Sequence, residues 1–232
     1  MSHRSLMSAL RPALRGLLAL LLATSAAAAL AQSEQQKLVN AADATFQKFM
    51  RDPDMAWLQQ NIGRAKGVLI APEVVKAGFI FGGSGGRAVL VVRDAKSGKW
   101  VGPSFYTLAT ASVGFQAGVA VSEMLTLVMT EKALNSLLSD SVKLGPDASV
   151  AAGPVGAGAK ADVVTDLVSY SRAKGVYGGI NLDGTVVAVS KDWNEGFYGK
   201  PVTAPDILVR MSARSKSADK LIADVSRAAG KR

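Results

Sequence analysis

Two kinds of side chain in this sequence stand where they could act on a ligand: carboxylates at Asp162, Asp166, Asp183, Asp192 and Glu195, and cations at Arg64, Lys66, Arg172 and Lys174. A carboxylate pair at the right separation performs the acid and base work of glycoside hydrolysis. Nothing in the spacing sets that separation here. Asp183 is accounted for by an Asp-Gly turn and Asp192 to Glu195 by a short solvated helix, so a carboxylate-based hydrolase is the least favoured reading. The cations neighbour Ile62, Tyr170 and Tyr177. If the two cationic stretches meet, they offer phosphate donors beside an apolar wall, as an anionic lipid headgroup requires. If they do not, they are solvated surface charges.

Composition excludes several chemistries. The single histidine is His3 and there is no cysteine, so beyond residue 3 no Ser-His-Asp or Cys-His nucleophile and no zinc site built on those ligands is available. No metal or cofactor is expected. Gly83-Ser84-Gly85 imitates a dinucleotide fingerprint, but Val89 to Val92 after it reads as a strand, leaving no helix N-terminus to receive a pyrophosphate. Gly153, Gly156 and Gly158 lack the Gly-Lys-Ser/Thr ending of a phosphate loop. Nucleic-acid binding finds no basic block and no recognised motif. The chain reads as a binding module, not an enzyme.

Residues 1–31 read as a secretory leader: Arg4, Arg11 and Arg15 precede an apolar run, and Ala29-Leu30-Ala31 fits small-residue cleavage. The apolar part is shorter than the roughly 20 residues of a bilayer span. A mature domain over 32–232 is therefore expected, periplasmic or secreted. Without the three leader arginines, 24 basic groups face 18 acidic ones, a net charge of +6. That balance suits an anionic surface without specifying one.

Hydrophobic spacing supplies the elements that would position the cations. Leu38, Ala42, Phe46, Phe49 and Met50 recur at helical period within 33–51. Their stripe could lie on a membrane or cover a sheet, and the nearly balanced polar face favours the sheet. A second helix is expected over 55–64 after Asp52-Pro53-Asp54. Short β-rich runs follow at 68–70, 78–81 and 88–92, the last two separated by Gly82 to Gly86, which predicts hairpins. Further strands are expected at 109–115, 118–121, 149–152, 166–171, 176–181 and 185–190, with Asp183-Gly184 as a hairpin turn. Helices are expected again at 130–138 and 217–229. Residues 145–158 read as a loop. The fold class is α+β: a single domain whose curved antiparallel sheet or β-barrel carries N- and C-terminal helices packed on it.

The ordered motifs Ala65-Lys66-Gly67-Val68, Trp100-Val101-Gly102-Pro103, Gly114-Phe115-Gln116-Ala117-Gly118, Gly145-Pro146-Asp147, Ala151-Ala152-Gly153-Pro154, Ser171-Arg172-Ala173-Lys174-Gly175 and Phe197-Tyr198-Gly199 resemble the SYLF domain family. That resemblance implies a barrel-like body and lipid binding, of phosphoinositides in eukaryotic members, with actin binding in one branch. It implies headgroup contacts at Lys66, Arg172 and Lys174. Ala157 stands where many relatives place Arg, so one phosphate donor is missing. The expectation is a non-catalytic lipid-binding domain associating with anionic phospholipid or a membrane surface in the cell envelope, through Arg64, Lys66, Arg172, Lys174, Tyr170 and Tyr177. The alternative is an envelope structural or protein-interaction module whose partner is a protein.

Overall fold

A computed structural model describes residues 33–156, 163–173, 176–179 and 182–230, with side chains at 78–81, 112–118 and 177–179 outside the described set. The expected leader, Asp162 and Lys174 lie outside the described residues. The chain divides into two compact units, Met1–Lys37 and Leu38–Arg232. Of the first, 33–37 are described, and there Lys37 pairs with Glu34 at 2.7 Å.

In chain order the elements are α1 (Glu34–Arg51), α2 (Ala56–Asn61), β1 (Gly67–Arg93), β2 (Trp100–Val128), α3 (Glu131–Leu138), β3 (Ser141–Lys143), β4 (Val150–Ala152), β5 (Leu167–Ala173), β6 (Val176–Gly179), β7 (Val186–Val189), α4 (Lys191–Tyr198), α5 (Ala204–Leu208) and α6 (Asp219–Gly230). The expected α+β class with a curved sheet is found, as a half-barrel within the second unit. Its sheet is mixed: β4 runs parallel to β5, and the other pairings are antiparallel.

One antiparallel ribbon dominates. β1 and β2 pair along almost their whole lengths, from Gly67 opposite Val128 to Arg93 opposite Trp100. The short runs expected as separate hairpins are therefore parts of two long strands, and Gly82 to Gly86 is strand rather than turn. Glycine explains the difference. The ribbon doubles over, and its limbs return alongside each other. Arg93 N–H donates to Lys66 O at 2.8 Å, and a Cβ on Gly86 would stand 2.3 Å from Glu73 O. Only glycine permits that approach.

The limbs are buried on both faces, which is why their sequences run Val68-Leu69-Ile70-Ala71 and Ala88-Val89-Leu90-Val91-Val92 without polar alternation. Leu69, Leu90 and Tyr106 face one core with α3 and α5; Ile70, Val91 and Phe105 face the other with α1, α2 and α6. The α1 stripe covers the sheet: Phe46 and Phe49 are buried in the second core. Thr130 caps α3 by accepting from Ala133 N. The Asp183-Gly184 turn exists, with Gly184 at φ 81°, but it is no hairpin. It joins β6, paired with β5, to β7, paired with β2 and β3. Part of 145–158 is ordered as β4, and α5, opened by a Thr203–Asp206 capping box, had no counterpart in the periodicity.

The close approach at Gly86 predicts that Gly86→Ala lowers unfolding free energy by about 1–3 kcal/mol. Gly230→Ala, with nothing within 4 Å of the added carbon, should stay within about 0.5 kcal/mol. Urea denaturation of both variants checks the contrast.

Candidate functional site

The register separates the described members of the predicted site into two groups. Lys66 precedes Gly67, which faces Val128, whereas Arg172 faces Glu123 on the same strand β2. Five residues of extended chain, roughly 17 Å, lie between those levels. Lys66 Nζ pairs with Glu131 at 3.0 Å and Arg172 with Glu123 at 2.8 Å. Lys66 and Arg172 therefore do not converge. Arg64 stays with Lys66, its guanidinium donating to Asn61 Oδ1 at 3.1 Å. Tyr177 lies opposite Arg172 in β6.

Tyr170 offers no surface. It is 0 % exposed, and a Cβ on Gly153 would fall 2.1 Å from its ring, so the Ala-Ala-Gly-Pro segment has glycine where the ring packs. Burial pushes the phenol up. Its role is in the core, a correction to its expected place in a headgroup site.

Arg172 has structural work too. Glu123 takes hydrogen bonds from Thr45 and Lys48 of α1 and from Arg172 of β5. Burial pushes the Glu123 carboxyl up, but the hydrogen bonds from Lys48 and Arg172 more than offset it and hold it below its ordinary value. The clip fastens α1 to the sheet. A second clip joins α1 to α6: the Gln47 amide donates to Asp43 and Asp224, at 3.0 and 2.8 Å, and Lys220 bridges the same carboxylates. Burial raises Asp43. These two carboxyls meet between helices and are bound to each other's partners, which is an arrangement for holding helices together.

Asp166, one of the predicted carboxylates, is a clasp for the β4–β5 corner. It accepts from Thr130 Oγ1 at 2.6 Å and from Ser149 N and Oγ at 3.0 and 2.9 Å. The Thr130 hydroxyl leads the interactions that pull its carboxyl down to about 2. No group of three or more His, Cys, Asp or Glu suited to a metal occurs among the described residues.

At the Arg172 end the doubled ribbon carries an apolar arch that the glycine-rich sequence did not announce. Around the level where Val75 faces Val121 and Ala77 faces Val119, every described side chain of 75–77 and 119–121 is exposed. Val119 is 74 %, Val121 51 % and Val75 37 % exposed, and Val176 on the neighbouring hairpin is 72 %. Both faces of the ribbon are bare there. Charge is nearly absent: Trp100 to Ser122 has none, and Val74 to Gly86 has only Lys76. Lys48 and Arg172 stand at its foot through Glu123. The legible signal was this long uncharged run, hidden because it was divided into separate short strands.

The family model described as "Las17-binding protein actin regulator", Ysc84, matches residues 109–228, from within β2 to within α6. The chain belongs to the Ysc84 (SYLF) family. It is similar to "LAS seventeen-binding protein 3" of Saccharomyces cerevisiae, 35% identical over 152 residues, covering 62% of this chain and 33% of that protein. It resembles "Protein YSC84" of the same yeast at 34% over 166 residues, 68% of this chain and 35% of that one. The human "SH3 domain-containing YSC84-like protein 1" is 30% identical over 174 residues, 73% of this chain and 50% of its own length. The chain thus spans about a third to a half of these relatives.

Two outcomes follow. Arg172→Glu places like charge against Glu123 and should lower stability by on the order of 2 kcal/mol, read as an earlier urea midpoint. For Asp166, the folded carboxyl is depressed, so its contribution is complete above the ordinary value of 3.8 and is lost as pH falls towards about 2. The stability gap between the wild type and Asp166→Asn should therefore be widest above pH 4 and close on acidification, measured by denaturation at stepped pH.

Proposed function

We propose that this Ysc84-family domain is a non-catalytic module that associates with anionic phospholipid at a membrane surface, and that it does so by its arch end. The observation that carries the reading is the bare ribbon of Val75, Val119 and Val121, exposed on both faces, with Val176 beside it. Apolar side chains lose unfavourable contact with water when they enter a bilayer interface. Lys76 lies among the valines, where a lysine can extend its ammonium to the phosphates, and the Lys48–Glu123–Arg172 cluster at the foot keeps a net positive charge towards the same surface. Depth is limited to the headgroup and upper acyl region, because a two-stranded arch has backbone edge groups that hydrocarbon cannot satisfy.

The setting we propose is the cell envelope, reached after removal of the leader read in residues 1–31. A protein-interaction role is the second reading. On the edge turned away from β1, residues 110–121 of β2 have no partner strand among the described residues, lying between the stretches paired with β7 and β5, and such an edge can accept a strand from another protein. The names of the relatives, Las17-binding and SH3 domain-containing, favour protein partners for those proteins.

Vesicle flotation tests the lipid reading. The domain should float with vesicles containing phosphatidylglycerol and much less with pure phosphatidylcholine, and Val119→Asp with Val121→Asp should cut binding at least about tenfold without moving the melting temperature. No flotation with either vesicle would overturn the lipid reading and leave the protein-partner one.

A further inference from the structure

The end of the ribbon away from the arch holds a second arrangement, made by the cations that the register left apart from Arg172. Gly67 and Val75 are eight residues apart on β1, so this end lies roughly 25 Å from the arch. Arg64, Lys66 and Arg93 line a recess of about 200 Å³ with Asp94 and Glu131. A second hollow of about 440 Å³ adjoins it through Arg93 and Gly98 and is walled by Trp100, Ile222 and Ala229.

The cationic recess is partly organised in advance. Arg93 donates from Nε to Gly98 O and from Nη1 to Gly63 O, both at 3.1 Å, which fixes the guanidinium plane and leaves its other N–H groups for a ligand. Asp94 is turned to its own turn, accepting from Ser97 N at 2.7 Å and Ser97 Oγ at 2.6 Å. Lys66 is held by Glu131 alone, in a half-exposed pair that a stronger anion can replace at little cost. Glu131 opens α3, whose dipole adds positive potential on the same wall. The adjoining hollow contributes the Trp100 and Ile222 side chains.

We propose that this double recess binds a phosphate monoester whose organic part is apolar, the phosphoryl group meeting Arg64, Lys66 and Arg93 and the apolar part lying against Trp100 and Ile222. The site is independent of the arch and of the membrane reading. A dianion suits three cations of which, among the described residues, only Lys66 has a side-chain carboxylate partner, and Arg93 belongs to the walls of both hollows.

Phenyl phosphate titrated into the isotopically labelled domain, followed by backbone amide NMR, tests this. Saturable shifts are expected at Gly98, Lys99 and Ala229, with inorganic phosphate at least about threefold weaker. Arg64→Ala with Lys66→Met should bind about tenfold more weakly. Lys66→Met alone, which touches only the Glu131 pair, should show a smaller loss and guards against a double variant that does not fold. Unsaturable shifts, shifts elsewhere, phenol binding as tightly as phenyl phosphate, or a folded double variant binding like wild type would each overturn the proposal. Vesicles containing phosphatidic acid identify the source: capture weakened by the recess substitutions marks a lipid headgroup, and unchanged capture beside weakened phenyl phosphate binding marks a soluble ester. Failure of flotation by the wild type would count against the arch reading and leave the recess to the titration.

Discussion

The fold depends on a ribbon that can double back on itself. β1 and β2 stay paired from end to end, so the sheet can close into a half-barrel only if the two limbs of β1 lie almost in backbone contact. Gly86 against Glu73 and Gly67 against Val91 provide that contact, and Arg93 N–H to Lys66 O closes its far end. A side chain at Gly86 would hold the limbs apart and open the space that both cores fill. The hydrophobic gain from burying both faces of the limbs is what this closure secures.

Helices from both ends of the second unit then cover one face of the curled sheet, and polar clips fix them. Glu123 gathers Thr45, Lys48 and Arg172, and the Asp43–Gln47–Lys220–Asp224 cluster ties α1 to α6. These clips use several of the charges that a sequence reading offers to ligands. The surfaces outside these clips lie at opposite ends of the ribbon: an apolar arch carrying Lys76 at one end, and the Arg64–Lys66–Arg93 recess at the other. One doubled strand pair thus produces two surfaces of different chemistry.

Much of the fold was legible because local rules sufficed. The stripe of Phe46 and Phe49, the Thr130 cap and the amphipathic C-terminal helix each follow from spacing within one element. The continuity of β1 was not legible, since Gly82 to Gly86 has turn composition and only its pairing with Leu108 to Ser112 of β2, distant in sequence, makes it strand. For the same reason the site was read only in part. Arg64 and Lys66 do share a recess, but Arg93, its most fixed cation, comes from the other limb of the ribbon. Arg172 and Tyr170 were assigned by neighbourhood in sequence, and their partners, Glu123 and Gly153, are brought to them by sheet pairing. The exposed valines carry no local mark of exposure, because β-branched residues usually signal a core.

The central claim is that the bare arch meets a bilayer. The chain has no cysteine, so an environment-sensitive dye attached through Val119→Cys reports from that site alone. On phosphatidylglycerol vesicles its emission should shift to the blue and be quenched by nitroxides carried at the headgroup–acyl boundary, while a dye attached through Lys96→Cys, at the other end of the ribbon, should keep its aqueous emission. An arch-attached dye that stays aqueous while the protein is vesicle-bound would contradict the account.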